Sequence, residues 1–89
     1  MMLEVIMPKQ GMYEGDVTLI RWLIPDGTDV LVGDVLFTME NEKVEIDIEA
    51  EDAGILVQSQ DDGFVAAVGT VIGYLVTTRS EYDQIKANK

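Results

Sequence analysis

The chain has 89 residues, 47% of them hydrophobic, and sets 17 Asp plus Glu against 6 Lys plus Arg for a formal net charge of −11. That length holds one domain with a single modest core, and so acidic a surface repels nucleic acid and anionic membranes. With no cysteine and no histidine, it lacks disulfides, thiol nucleophiles, imidazole bases and the usual transition-metal ligands, so no catalytic residue or metal site is assigned. No apolar run approaches bilayer length and no signal-peptide pattern opens the chain, so a soluble domain of the bacterial cytoplasm or an organelle matrix is expected.

In chain order, short strand-like runs alternate with glycine-bearing turns. A first run, Glu4 to Met7, leads into a loop from Pro8 to Gly15, and a second spans Val17 to Ile24 before the turn Pro25-Asp26-Gly27. Val32-Gly33-Asp34 turns the chain into Val35 to Met39. After the acidic bend Glu40-Asn41-Glu42-Lys43-Val44, the run Val44 to Glu49 places Val44, Ile46, Ile48 and Ala50 on one face. Glu45, Asp47, Glu49 and Glu51 fall on the other, the period of a half-buried strand. Ala53-Gly54, Asp61-Asp62-Gly63 and Val68-Gly69-Thr70 punctuate the runs Ile55 to Gln58 and Val71 to Val76. Gly27, Gly33, Gly63 and Gly69 have no helix after them and fit turns with positive φ rather than phosphate cradles. Glu81 to Ala87 suits a helical turn or the start of a linker, so the domain is drawn as 1–79 with 80–89 as its tail.

The spacing indicates a small all-β barrel or sandwich, and an internal repeat gives it symmetry. Sliding the sequence by 36 positions lays Asp26-Gly27 on Asp62-Gly63, Val32-Gly33 on Val68-Gly69, Val35-Leu36 on Val71-Ile72 and Leu19-Ile20 on Ile55-Leu56. Two four-stranded units would bury their apolar faces against each other, and neither would fold alone. The repeat stops at the hairpin, where Lys43 has Arg79 as its counterpart. A bend between two alternating strands is a hairpin tip, so Lys43 is presented to partners. By itself a lysine among carboxylates in a turn is a solvated surface residue in roughly nine cases of ten. Glu40, Glu42, Glu45, Asp47 and Glu49 alternate along strands without a bent ligand loop and read as a solvated face rather than a cation site. Trp22 and Phe37 read as packing residues.

Several elements together reverse the bland reading of Lys43: Met7-Pro8-Lys9 with Gly11, Arg21-Trp22-Leu23, Asp26-Gly27 with Val30, Gly33-Asp34-Val35-Leu36, Glu40 to Val44, and Glu49-Ala50 leading to Gly54. Over residues 3 to 77 the chain resembles the lipoyl domains of 2-oxo acid dehydrogenase complexes, within the biotinyl/lipoyl attachment family. The resemblance implies a flattened eight-stranded barrel of two four-stranded antiparallel sheets with quasi-twofold symmetry, a barrel-sandwich hybrid. It also implies lipoic acid joined by an amide bond to the Lys43 ε-amine. A charged lysine is a poor nucleophile, so loading requires an activated acyl donor and a separate lipoate ligase or lipoyl transferase. The tethered arm would then visit a thiamine-dependent 2-oxo acid decarboxylase, an acyltransferase core and dihydrolipoamide dehydrogenase, all of the chemistry belonging to those partners.

Residues Glu40, Glu42 and Val44, with Gln10, Gly11 and Met12 of the first loop, are the implied recognition residues for ligase and partners. Glu42-Lys43-Val44 stands where Asp-Lys-Ala is common in lipoyl domains. The first loop is two residues shorter than usual, with Gln10 in place of a common leucine. Biotin is the alternative cofactor, as in a biotin carboxyl carrier domain, although biotinyl lysines usually lie between methionines. An unmodified β-barrel interaction module is the alternative from another class.

Overall fold

The computed structural model describes residues 2–9, 15–42 and 44–87. The strands are β1 Met2–Ile6, β2 Asp16–Trp22, β3 Asp29–Val30, β4 Val35–Asn41, β5 Val44–Glu49, β6 Gly54–Gln58, β7 Val65–Ala67 and β8 Val71–Val76, followed by α1 Arg79–Ala87. They form two four-stranded sheets, β1-β8-β6-β3 and β5-β4-β2-β7, antiparallel throughout. This is the flattened eight-stranded all-β architecture expected from the sequence. Strands β3 and β7, of two and three residues, are too short to show a period and were not among the six strand-like runs.

The twofold symmetry is visible in the strand order, since exchanging β1 with β5, β2 with β6, β3 with β7 and β4 with β8 converts one sheet into the other. It extends to single hydrogen bonds 36 residues apart. Trp22 N–H donates to Asp62 Oδ1 and Trp22 Nε1 to the Gln60 carbonyl. Gln58 N–H donates to Asp26 Oδ1 and Gln58 Nε2 to the Ile24 carbonyl. An indole and an amide thus make the same two bonds at equivalent positions. Gly27 and Gly63 (φ +83° and +88°) and Gly33 and Gly69 (both +93°) turn the chain where L side chains are strained.

One residue breaks the symmetry of the ladders. The β2–β4 ladder skips Ile20, pairing Leu19 with Met39 and Arg21 with Thr38, whereas β6 and β8 pair without interruption. The structural equivalent of Leu19 is therefore Leu56, which the 36-residue slide placed opposite Ile20. A single bulged residue explains the one-position offset.

Both sheets turn an apolar face inward. Met7, Leu19, Phe37, Met39, Leu56 and Ile72 are fully buried, each contributing roughly 1.5–3 kcal/mol by burial. The Trp22 ring meets Phe37 edge-on at 5.4 Å between centroids, so both aromatics are packing residues. Val44, expected on the core face, is 58% exposed; it ends the ladder at the hairpin, beyond the reach of the opposing sheet.

Helix α1 adds a third layer on one side. A capping box starts it: Glu81 N–H donates to Thr78 Oγ1, and Thr78 N–H donates to Glu81 Oε1. The Thr77 hydroxyl leads the interactions that hold the Glu81 carboxyl down to about 2. Tyr82 and Ile85 pack on Ile55, Val57, Val76 and Tyr74, which lie on the outer face of the β1-β8-β6-β3 sheet. The boundary drawn after residue 79 thus falls at the first residue of a packed helix. With only two apolar side chains facing the sheet, α1 left little pattern in the sequence.

Candidate attachment hairpin

Strands β4 and β5 remain in register to their shared end, pairing Glu40 with Glu45 and Asn41 with Val44. Only residues 42 and 43 lie between that last pair. A two-residue connection demands positive φ at its first central position, and Glu42 stands at φ +51° there. A non-glycine residue in the left-handed region carries strain of about 1–2 kcal/mol. Such strain persists where the surrounding structure enforces it, here a ladder paired to its last rung, and it marks candidate functional positions. Glu42 and Val44 are exposed and Asn41 is buried. Lys43, together with Gln10, Gly11 and Met12, lies outside the described residues.

Side chains on the outward face stiffen the hairpin. Thr38 Oγ1 donates to Asp47 Oδ1 at 2.9 Å across the β4–β5 ladder. From β2, Arg21 reaches over β4 to Glu45, with Nη2 to Oε1 at 3.8 Å and both side chains about half exposed; a pair so open to solvent contributes about 0–1 kcal/mol. Glu40 and Glu45 sit directly opposite each other, a like-charge juxtaposition that disfavours the isolated hairpin and that a cationic partner surface would relieve. Of the recognition residues expected from the sequence, Glu40, Glu42 and Val44 therefore gather at one hairpin end. The sequence reading passed over Thr38, whose hydroxyl ties β4 to Asp47 of β5, and Asn41, buried at the last pair of the ladder. Their signal was polar character at otherwise buried positions of a core strand.

Chemically the arrangement offers a paired β-ribbon closed by two residues, the first of which, Glu42, is exposed. Glu42 and Val44, on either side of position 43, are both exposed. Among the described residues no group of acidic side chains converges as a metal site.

Comparison with known proteins agrees with this geometry. The profile of the biotin/lipoyl family, described as biotin-requiring enzyme, matches residues 3–75. The chain is 31% identical, over 99% of its length and 20% of the relative's, to the dihydrolipoyllysine-residue acetyltransferase component of the pyruvate dehydrogenase complex of Zymomonas mobilis. It is 31% identical over 93% of its length to the dihydrolipoyllysine-residue acetyltransferase component of the acetoin cleaving system of Cupriavidus necator, covering 22% of that protein. The Bacillus subtilis dihydrolipoyllysine-residue succinyltransferase component of the 2-oxoglutarate dehydrogenase complex is 32% identical over 81% of the chain and 18% of its own length. The chain thus spans about a fifth of these curated relatives. In fold it resembles part of a single-chain, multi-domain long-chain acyl-CoA carboxylase, with a TM-score of 0.56 at 23% identity over 89% of this chain and 9% of that one.

Proposed function

Because this chain belongs to the biotin/lipoyl attachment family, we propose that it is a lipoyl carrier domain of the dihydrolipoamide acyltransferase component of a 2-oxo acid dehydrogenase complex, modified on Lys43. The observation that carries the reading is the β4–β5 ladder, paired through Asn41 and Val44 and closed by two residues of which Lys43 is the second. The domain has no active site of its own and serves as the substrate of partner enzymes. Lipoic acid, when attached, supplies a dithiolane that accepts acyl groups and electrons.

The chain's own residues do two things. The core and the β4–β5 register hold the attachment turn at a fixed end of the barrel, so tether length sets the reach of the arm and keeps its effective concentration high. Half-buried Glu40 and exposed Glu42 and Val44 present an acidic surface at the hairpin end for a lipoate ligase or lipoyl transferase. The same surface serves the thiamine-dependent decarboxylase, the acyltransferase core and dihydrolipoamide dehydrogenase. The setting is the bacterial cytoplasm or an organelle matrix. Lipoate is favoured over biotin because Glu42 and Val44, not methionines, flank the lysine, and because the relatives aligned over most of the chain are dihydrolipoyllysine acyltransferase components.

Intact mass and peptide mapping test the proposal after incubation with ATP, a lipoate ligase and lipoate, and in parallel with a biotin ligase and biotin. One lipoyl increment on Lys43 is expected, abolished in Lys43→Arg and accompanied by the loss of one positive charge on a native gel. An adduct on another lysine, or efficient biotinylation without lipoylation, overturns it.

A further inference from the structure

The β1 and β5 strands are edges of opposite sheets, and between them the barrel is incompletely closed. A groove of about 160 Å³ opens there, floored by Leu3, Phe37, Ile48 and Leu75 and flanked by Pro8. That volume is comparable to the ~150 Å³ of an apolar cavity that accepts a benzene-sized molecule, enough for one long side chain. Four carboxylates stand around it: Glu4 on β1, Glu49 at the end of β5, and Glu51 and Asp52 just beyond. All four are exposed. The ion pairs among the described residues, Arg21 with Glu45 and Lys86 with Asp26, involve none of them.

We propose that this groove docks an extended basic segment of a partner protein, one Lys or Arg laying its aliphatic stem on the apolar floor while cationic groups meet the rim. Charge complementarity selects this occupant. Lysine and arginine bury their methylene stems and keep the charged head in water, the combination an apolar floor with an anionic rim would hold. A bound metal ion is the wrong ligand, because the rim carboxylates do not converge into a coordinating cluster. A second copy of this chain is disfavoured by self-repulsion at a net charge of −11. The groove is also separate from the attachment hairpin. Ile48 and Glu49 lie four and five residues along β5 from Val44, about 15 Å at strand rise, so an occupant leaves the turn free. The inference stands whether or not the attached group is lipoate.

The probe is an N-acetylated, C-amidated Lys-Leu-Lys-Leu-Lys peptide, with Gln-Leu-Gln-Leu-Gln as control, titrated into ¹⁵N-labelled protein. Shifts concentrated at Leu3–Ile6 and Ile48–Asp52, with binding by the lysine peptide alone, are expected. The variant Glu4→Gln/Glu49→Gln/Glu51→Gln should weaken binding about tenfold, the scale of several partly exposed charge pairs acting together. A control with the same charge change elsewhere, Asp29→Asn/Asp61→Asn/Asp83→Asn, should change it less than about twofold. Shifts spread over Glu40, Glu42 and Glu45 as strongly as over the groove, equal weakening in both triple variants, or dimerisation of the free protein through this face would overturn the proposal.

Discussion

The turn aspartates Asp26 and Asp62 are equivalent in the repeat and differ in what they hold, which makes them a built-in comparison. Asp62 Oδ1 accepts the Trp22 N–H at 2.9 Å. Asp26 Oδ1 accepts the Gln58 N–H at the same distance, while its Oδ2 accepts the Tyr82 hydroxyl at 3.0 Å and Lys86 Nζ at 2.8 Å. A hydrogen bond to a charged group contributes about 1.5–3 kcal/mol when protected from water, and less at these partly exposed turns. Asp62→Ala should therefore destabilise by about 1 kcal/mol and Asp26→Ala by about 2–3 kcal/mol, since the latter also frees α1. At about 4–8 °C per kcal/mol for a domain of this size, the two melting temperatures should differ by at least ~5 °C in thermal unfolding followed by circular dichroism. In a Tyr82→Phe/Lys86→Met background the excess loss at Asp26 should disappear. Equal losses for the two single variants would refute the assignment of Asp26 as the anchor of the helix. The same carboxyl sets a pH dependence. Burial pushes it up, but hydrogen bonds from Lys86, the Gln58 N–H and Tyr82 outweigh that and leave it below the usual carboxylate range. A depressed folded-state pKa contributes stability that is present above the unfolded value near 3.9 and is lost as pH falls through the folded one. Wild type should lose its margin over Asp26→Asn below about pH 4.

Three other outcomes follow from the backbone. A Cβ on Gly73 would lie 2.5 Å from the Val57 carbonyl oxygen and 3.4 Å from the Trp22 ring, so Gly73→Ala should cost about 2 kcal/mol or more in urea unfolding; an unchanged midpoint would show that β6 and β8 can separate freely. Gly33→Val and Gly69→Val meet no atom within 4 Å but force φ +93° on a β-branched residue, so each should destabilise by roughly 1 kcal/mol or more and by similar amounts; a large difference between them would break the symmetry argument. Glu42→Gly should raise stability by about 0.5 kcal/mol, the relief of left-handed strain less the entropy of glycine, and a loss of stability would mean that the Glu42 side chain holds the turn.

How much of this was legible depended on how local each signal was. Strands β4 and β5 showed in the alternation from Val35 to Glu49 because their periods are long and their outward residues charged. The turns at Gly27, Gly33, Gly63 and Gly69 showed because a backbone conformation restricted to few residue types writes itself into the sequence. The ends of the elements did not. Strand β2 stops at Trp22, although Leu23 and Ile24 continue its apolar run and the Leu23 N–H still donates to the Leu36 carbonyl. Helix α1 rests on contacts 28 to 56 residues away in sequence, those of Lys86, Arg79 and Tyr82 with Gln58, Gly27 and Asp26, and no local pattern encodes such partners. The proposed attachment turn rests on spacing and resemblance. The cross-strand bond of Thr38 to Asp47 needed the register.

Differences between the two halves show what the symmetric scaffold leaves open for function. The outer positions Val57, Tyr74 and Val76 lie under α1, and their equivalents in the other sheet are Arg21, Thr38 and Glu40. The first set is apolar and needs a cover. The second is polar, carries its own cross-strand bonds, and runs directly into the attachment hairpin. Lys43 and its counterpart Arg79 separate in the same way. Arg79 opens the covering helix, donating from Nη1 to the Gly27 carbonyl at 2.8 Å and lying 4.4 Å over the Tyr82 ring. One half thus uses its basic residue to fix a helix to an apolar face, while in the other, among the described residues, a polar face without a helix lies beside a turn of two residues. Among the described residues α1 packs only against the other sheet, so a partner approaching the hairpin over the β5-β4-β2-β7 sheet does not displace that helix. The same approach to the β1-β8-β6-β3 sheet would have to strip away α1 and expose Ile55, Val57 and Val76, a loss of roughly 1.5–3 kcal/mol for each fully buried side chain returned to water.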